Sequence, residues 1–206
     1  MSGGIYKCLS EIAGRITDNK DFLTELDRAI GDSDHGINMA RGFSAVMEKV
    51  TPEDTDIGAA LKKAGMALLS KVGGASGPLY GTAYMEAGKV LAGQTELTPE
   101  NLKAAFEAAI AGIQKRGKAQ RGEKTMLDAI IPAVEAYSQV IAAGVDMNTA
   151  MEAACSAARE GVEYTKTIIA TKGRASYLGE RSLGHQDPGA TSALMTLEAI
   201  RDSLKE

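Results

Sequence analysis

Three aspartates within eight residues, Asp27, Asp32 and Asp34, stand in the stretch LDRAIGDSDHGINM, with His35 and Asn38 beside them and Gly31 and Gly36 between. The apolar spacing of DFLTELDRAI predicts a helix ending near Asp27. The glycine- and Asx-rich GDSDHG predicts a turn, and a new helix is expected from about Asn38. Carboxylates that converge on one bend raise each other's pKa unless a cation neutralises them. Oxygen ligands with no thiolate nearby suit a hard cation, Mg2+ or Ca2+. Spacing excludes an EF-hand loop: counting from Asp32, Ile37 stands where that loop needs glycine and Phe43 where it needs glutamate. Mg2+ is left, and Mg2+ held by a few carboxylates takes its other ligands from water and substrate phosphate. The alternative for the same residues is an Asx turn with solvated acids.

Three further stretches bear on chemistry. Gly73 to Gly81, GGASGPLYG, puts small residues at a helix junction with Pro78 in the first turn of the next helix. Free N–H groups and the Ser76 hydroxyl could receive phosphate oxygens there, or the small residues could serve tight helix packing. It is not a nucleophile elbow, because Pro78 stands where GxSxG needs its second glycine. Gly117 to Met126, GKAQRGEKTM, approaches a Walker A loop but fails it, since Glu123 separates Gly122 from Lys124 and helix rather than strand precedes it. Its Lys118, Arg121 and Lys124, with Lys115 and Arg116 just before it, are expected to form an exposed basic loop facing phosphate or water. Gly173 to Gly189, GRASYLGERSLGHQDPG, is too polar for core and long for a connection, which suggests an active-site lid or a mobile surface loop.

These stretches need a scaffold, and nearly every periodic segment reads as helix. Apolar faces and caps predict helices over Ile5–Ile16, from an Asp21 cap toward Asp27, over Ile37–Val50, and from an Asp56 cap through Val72. Others follow through Leu91, from the Thr98–Pro99 pair through Ile113, from Thr125 to about Ala143 despite Pro132, from an Asp146 cap to about Ile169, and over Thr191–Leu204. Short alternating β-branched runs are absent. The expected fold is all-α, eight or so helices packed antiparallel into a bundle or closed barrel with the special loops at one end.

A chain of 206 residues with no composition break suits one domain spanning 1–206. A net charge of −4 with scattered Lys and Arg argues against a nucleic-acid grip. No stretch has the apolar length of a membrane span, and Met1 to Ser10 has no leader pattern, so a cytoplasmic protein is expected. Cys8 and Cys155 sit in helical patterns and are expected as buried free thiols.

Taken together, LDRAIGDSDHGINMARGF, VGGASGPLYGT, RGKAQRGEKTMLDA and KGRASYLGERSLGHQDPGATS resemble, in order and spacing over essentially the whole chain, the nucleotide-binding subunits of dihydroxyacetone kinases driven by the phosphoenolpyruvate phosphotransferase system. The resemblance implies an eight-helix antiparallel barrel with ADP at one end. It implies that Asp27, Asp32 and Asp34 hold two Mg2+ ions. It also implies that His35, Gly36, Ile37, Asn38, Ala75, Ser76, Gly117, Met126, Arg174, Asp187, Pro188 and Gly189 line the nucleotide pocket. Retained ADP would accept a phosphoryl group from a phosphotransferase-system donor subunit, cycle through ATP, and pass the group to dihydroxyacetone on a separate ketone-binding kinase subunit. A homodimer and contact with a transcription regulator belong to the same implication. Ser33 departs from the glycine or alanine of the family, and Glu123 from its common aspartate; neither removes a ligand. Rival readings are a subunit exchanging free ATP, a metal-dependent phosphohydrolase and a regulatory nucleotide-binding module.

Overall fold

The computed structural model describes residues 4–205. Among them are nine α-helices, one 3-10 segment and no strand. The helices are α1 (Gly4–Asp18), α2 (Lys20–Ile30), α3 (His35–Met47), α4 (Ile57–Lys71), α5 (Ser76–Val90), α6 (Pro99–Gly117), α7 (Leu127–Ala142), α8 (Met147–Thr165) and α9 (Pro188–Leu204), and the 3-10 segment is Arg174–Ser182.

Eight of the nine close a ring. Going round it, α1 packs on α3, α3 on α4, and so on through α9, which returns to α1; α2 lies outside, against α3 and α9. The ring accounts for eight helices, and the ninth, α2, is the helix expected over DFLTELDRAI that carries Asp27. Four-residue connections cannot run back along helices of 15 to 19 residues, so α4 and α5, and likewise α7 and α8, are antiparallel. The ring buries Leu9, Ile16, Met39, Phe43, Leu68, Leu127, Tyr137 and Met151 almost completely. Each such side chain contributes roughly 1.5–3 kcal/mol of transfer free energy. An apolar cavity of about 140 Å3 remains among Leu9, Leu61, Tyr84, Phe106 and Leu197. No charged residue lines it, so the charged chemistry lies elsewhere. No helix among the described residues is long and apolar enough to cross a membrane.

Close pairing explains residues whose role the sequence left open. A Cβ on Gly65 would come within 2.8 Å of the Gly81 carbonyl, and one on Gly81 within 2.9 Å of the Gly65 carbonyl, so α4 and α5 touch backbone to backbone. Pro132 lies inside α7 and offers no N–H to the Asp128 carbonyl one turn earlier. A Cβ on Gly161 would stand 2.0 Å from that oxygen, so α8 presses directly against the freed carbonyl.

Several expected boundaries move. The second helix is preceded by Asn19, not capped by Asp21, and α3 begins three residues earlier than Asn38. Helix α8 stops at Thr165 rather than running to Ile169, because the Thr165 and Thr167 hydroxyls bond back to the carbonyls of Val162 and Tyr164. The last helix starts at Pro188, with Asp187 as its cap. The Asp56, Asp146 and Thr98 caps all form, the last as a full capping box with Asn101.

Candidate metal and nucleotide site

Helix α2 ends at Ile30, and the chain turns through Gly31 and Ser33 into α3. A Cβ on Gly31 would lie 2.0 Å from Asp27 Oδ1, so only glycine lets the turn fold over that carboxylate. Asp27 Oδ2 accepts the backbone N–H groups of Asp34 at 2.9 Å and His35 at 3.1 Å. The last turn of α2 thus caps α3, whose own N-cap residue, Asp34, makes no side-chain cap bond. The outcome is convergence: one oxygen from each of Asp27, Asp32 and Asp34 lies within 4.8 Å of the others.

Asp32 is repelled by its two neighbours in that cluster. Burial and then repulsion from Asp34 and Asp27 push the Asp32 carboxyl above its usual range, and Arg174 opposes them. Arg174 Nη2 lies 2.8 Å from Asp32 Oδ2, so a guanidinium already stands against the acids. An all-oxygen set with spare lone pairs fits Mg2+.

Beside the acids lies a cleft at which four helices begin. Its wall includes His35 from α3, Ser76 from α5, Met126 at the threshold of α7, and Pro188 and Gly189 from α9. Helix N-termini present unpaired N–H groups and partial positive charge, which favours phosphate. At α5 the N-cap position is Ala75, which has no side chain to cap with. Asp187 caps α9 by accepting the Ala190 N–H at 2.7 Å, and burial raises its pKa to about 7. His35 is 6% exposed, with Nδ1 3.1 Å from Ser76 Oγ and Nε2 2.9 Å from Ser192 Oγ. Burial lowers its pKa, which keeps the ring neutral.

Of the residues singled out from sequence, Asp27, Asp32, Asp34, His35, Ala75, Ser76, Met126, Arg174, Asp187, Pro188 and Gly189 line this cleft. Gly36, Ile37, Asn38 and Gly117 stand off its wall. Gly36 packs α3 on α2, since a Cβ there would meet the Lys20 carbonyl at 2.0 Å. Ile37 is half exposed, Asn38 Oδ1 accepts from Arg41, and Gly117 backs onto Leu79, which is itself in the wall. The stretch expected as a lid or mobile surface loop contains the 3-10 segment, kinked at Gly179, with Ala175 packed against Ile30 and Ala170.

Lys124 reverses its expectation. It was read as part of a solvated basic loop, yet it is 1% exposed and lines the cleft. Tyr80, Thr125, Lys172 and Gly73 also belong to the wall; each falls within a stretch singled out from sequence, though none was named as a site residue. The near-Walker spacing of GKAQRGEKT was the signal at Lys124, rejected as a phosphate loop because Glu123 intervenes and helix rather than strand precedes it.

A closed α-helical barrel bearing a carboxylate cluster and a cleft of helix N-termini at one end defines the class. The DAK2 domain matches residues 29–202, and the chain belongs to that family. It is 46% identical over 203 residues, 98% of this chain and 97% of the other, to the "PEP-dependent dihydroxyacetone kinase, ADP-binding subunit DhaL" of Escherichia coli (strain K12). It is 45% identical to the "PTS-dependent dihydroxyacetone kinase, ADP-binding subunit DhaL" of Lactococcus lactis, over 93% of this chain and 92% of that one. The crystal structure of dihydroxyacetone kinase from C. freundii in complex with AMP-PNP and Mg2+ is similar with a TM-score of 0.71 and 26% identity, covering 98% of this chain and 33% of that one.

Proposed function

We propose that this chain is the ADP-binding subunit of a phosphoenolpyruvate-dependent dihydroxyacetone kinase, one nucleotide-binding domain that is a phosphotransferase only together with its partners. A ketone-binding subunit and a phosphotransferase-system donor are those partners. The observation that carries the reading is the meeting, in one cleft, of three carboxylates and four helix starts. Acids alone suit a metal; helix starts alone suit an anion; the pair suits a metal-bound phosphate.

Asp27, Asp32 and Asp34 would hold two Mg2+ ions, which supply charge neutralisation and alignment for in-line transfer. Two Mg2+ bring four positive charges against three aspartates and about three negative charges of ADP. Asp27 is held ready by its two backbone donors, so it loses little freedom when a cation arrives. Ser76 and the first N–H groups of α5 face the phosphate side, and Leu79 and Met126 give the cleft its apolar wall. His35 is not placed to take up a phosphoryl group, because both ring nitrogens already meet serine hydroxyls and the ring is buried.

Native mass spectrometry of the purified chain tests the proposal. ADP and two Mg2+ on the folded protein, together with dihydroxyacetone phosphorylation when the donor and ketone-binding subunits are added, are the expected results. Phosphatase turnover by the chain alone, or nucleotide lost on simple dialysis, would overturn it.

A further inference from the structure

Lys124 is the buried cation for which that function supplies no task. Its backbone sits in the left-handed region, at φ +60, where an L side chain is strained. Such a conformation persists when the surroundings over-determine it, and here the ammonium has partners on every side. Nζ donates to the carbonyl oxygens of Thr165 and of His185, the latter at 2.6 Å, with Ile168 O at 3.4 Å. Burial lowers its pKa, while Asp187 and Asp128 favour the charged form.

The acceptors bracket one loop. Thr165 is the last residue of α8 and His185 lies just before the Asp187 cap of α9. Two other bonds close the same base: Gly184 N–H to the Lys166 carbonyl at 2.8 Å, and Asp187 N–H to Thr165 Oγ1 at 3.0 Å. The neighbour of Lys124 joins in, since the Glu123 carbonyl accepts from Thr171 N–H. The ammonium also sits where the negative end of the α8 dipole welcomes a cation. The loop that this closure joins brings Lys172, Gly173, Arg174 and Ala175 to the cleft, with Asp187 at its end.

We propose that Lys124 is a positioning residue: by gripping the Thr165 and His185 carbonyls it shuts the base of the 166–187 loop and so sets how long nucleotide is retained in the cleft. The retention clause rests on the function proposed above; the closure of the loop does not.

Two measurements separate them. In wild-type protein, NMR of the lysine ammonium groups gives a slowly exchanging Lys124 signal with couplings across hydrogen bonds to the Thr165 and His185 carbonyl carbons. Lys124→Met keeps the stem and removes the donors. In ligand-free Lys124→Met, amide hydrogen exchange accelerates at least ten-fold within residues 166–187 while α1 and α4–α6 keep wild-type protection, and ADP release from the loaded protein becomes at least ten-fold faster. Missing couplings, protection lost evenly across the helices, or a release rate within two-fold of wild type overturns the proposal. Wild-type protein that never holds ADP sinks the function instead, and the couplings and ligand-free exchange still decide whether Lys124 closes the loop.

Discussion

Arg174 reaches from the 3-10 segment to Asp32, Nη2 to Oδ2 at 2.8 Å, so among the described residues the side chain ion-paired with the acidic cluster comes from the loop that lines the cleft. The pair is open to solvent on the arginine side, and exposed pairs of this kind are worth about 0–1 kcal/mol. A cation entering the cluster must compete with that guanidinium. Arg174→Gln should therefore strengthen binding of Mg2+ alone by no more than about five-fold, and weaken ADP binding in the presence of Mg2+ because a phosphate partner is gone. Calorimetric titration of Mg2+ and then of ADP checks both signs. A weaker Mg2+ affinity in the variant would contradict the competition.

Asp27 and Asp32 divide structure from function. Asp27 is buried and accepts two backbone donors, so Asp27→Ala leaves Asp34 N–H and His35 N–H without their acceptor. Loss of a charged acceptor at a helix start costs about 2 kcal/mol. Asp32 makes its one ion pair at a more exposed position and is repelled by its neighbours, so Asp32→Ala should change stability by less than about 1 kcal/mol. Urea unfolding in the presence of a chelator separates the two variants, while both should lose Mg2+ and ADP together.

Ser33 sits at φ +63, a conformation that costs an L residue about 1 kcal/mol and glycine almost nothing. Part of any relief is offset because glycine gains freedom in the unfolded chain. Ser33→Gly should raise stability by roughly 0.5 kcal/mol, seen as a small increase in melting temperature, with Mg2+ affinity unchanged within two-fold.

What could be read from sequence was what local chemistry decides. Asp56, Asp146 and the Thr98–Pro99 pair cap their helices within three residues, and such bonds need no tertiary partner. The acidic bend was legible for the same reason, since its three carboxylates lie within one turn of chain. Lys124 was not, because its acceptors are contributed from 41 and 61 residues away, and a lysine among other basic residues looks like surface until those carbonyls arrive. Pro132 was expected inside a helix, as found, but the cover for the carbonyl it frees comes from Gly161 of the neighbouring helix and is not visible in the local sequence.

Asp187 gives the ligand-free protein a pH dependence of definite sign. Its folded pKa is raised from 3.8 to about 7, chiefly by burial and against the pull of the Ala190 N–H. Between those values the folded protein holds a proton that the unfolded chain has released. Stability is therefore greatest below about 4 for this group, falls as pH rises, and loses the contribution entirely above about 7. Asp187→Asn keeps an oxygen for the Ala190 N–H and cannot ionise, so it should flatten the decline between pH 5 and 8 and leave the variant more stable than wild type at the upper end. Urea midpoints at both pH values, measured with a chelator present, decide the matter. Equal slopes for the two proteins would mean that Asp187 ionises in the fold as easily as in the unfolded chain, with the nearby Lys124 ammonium outweighing its burial.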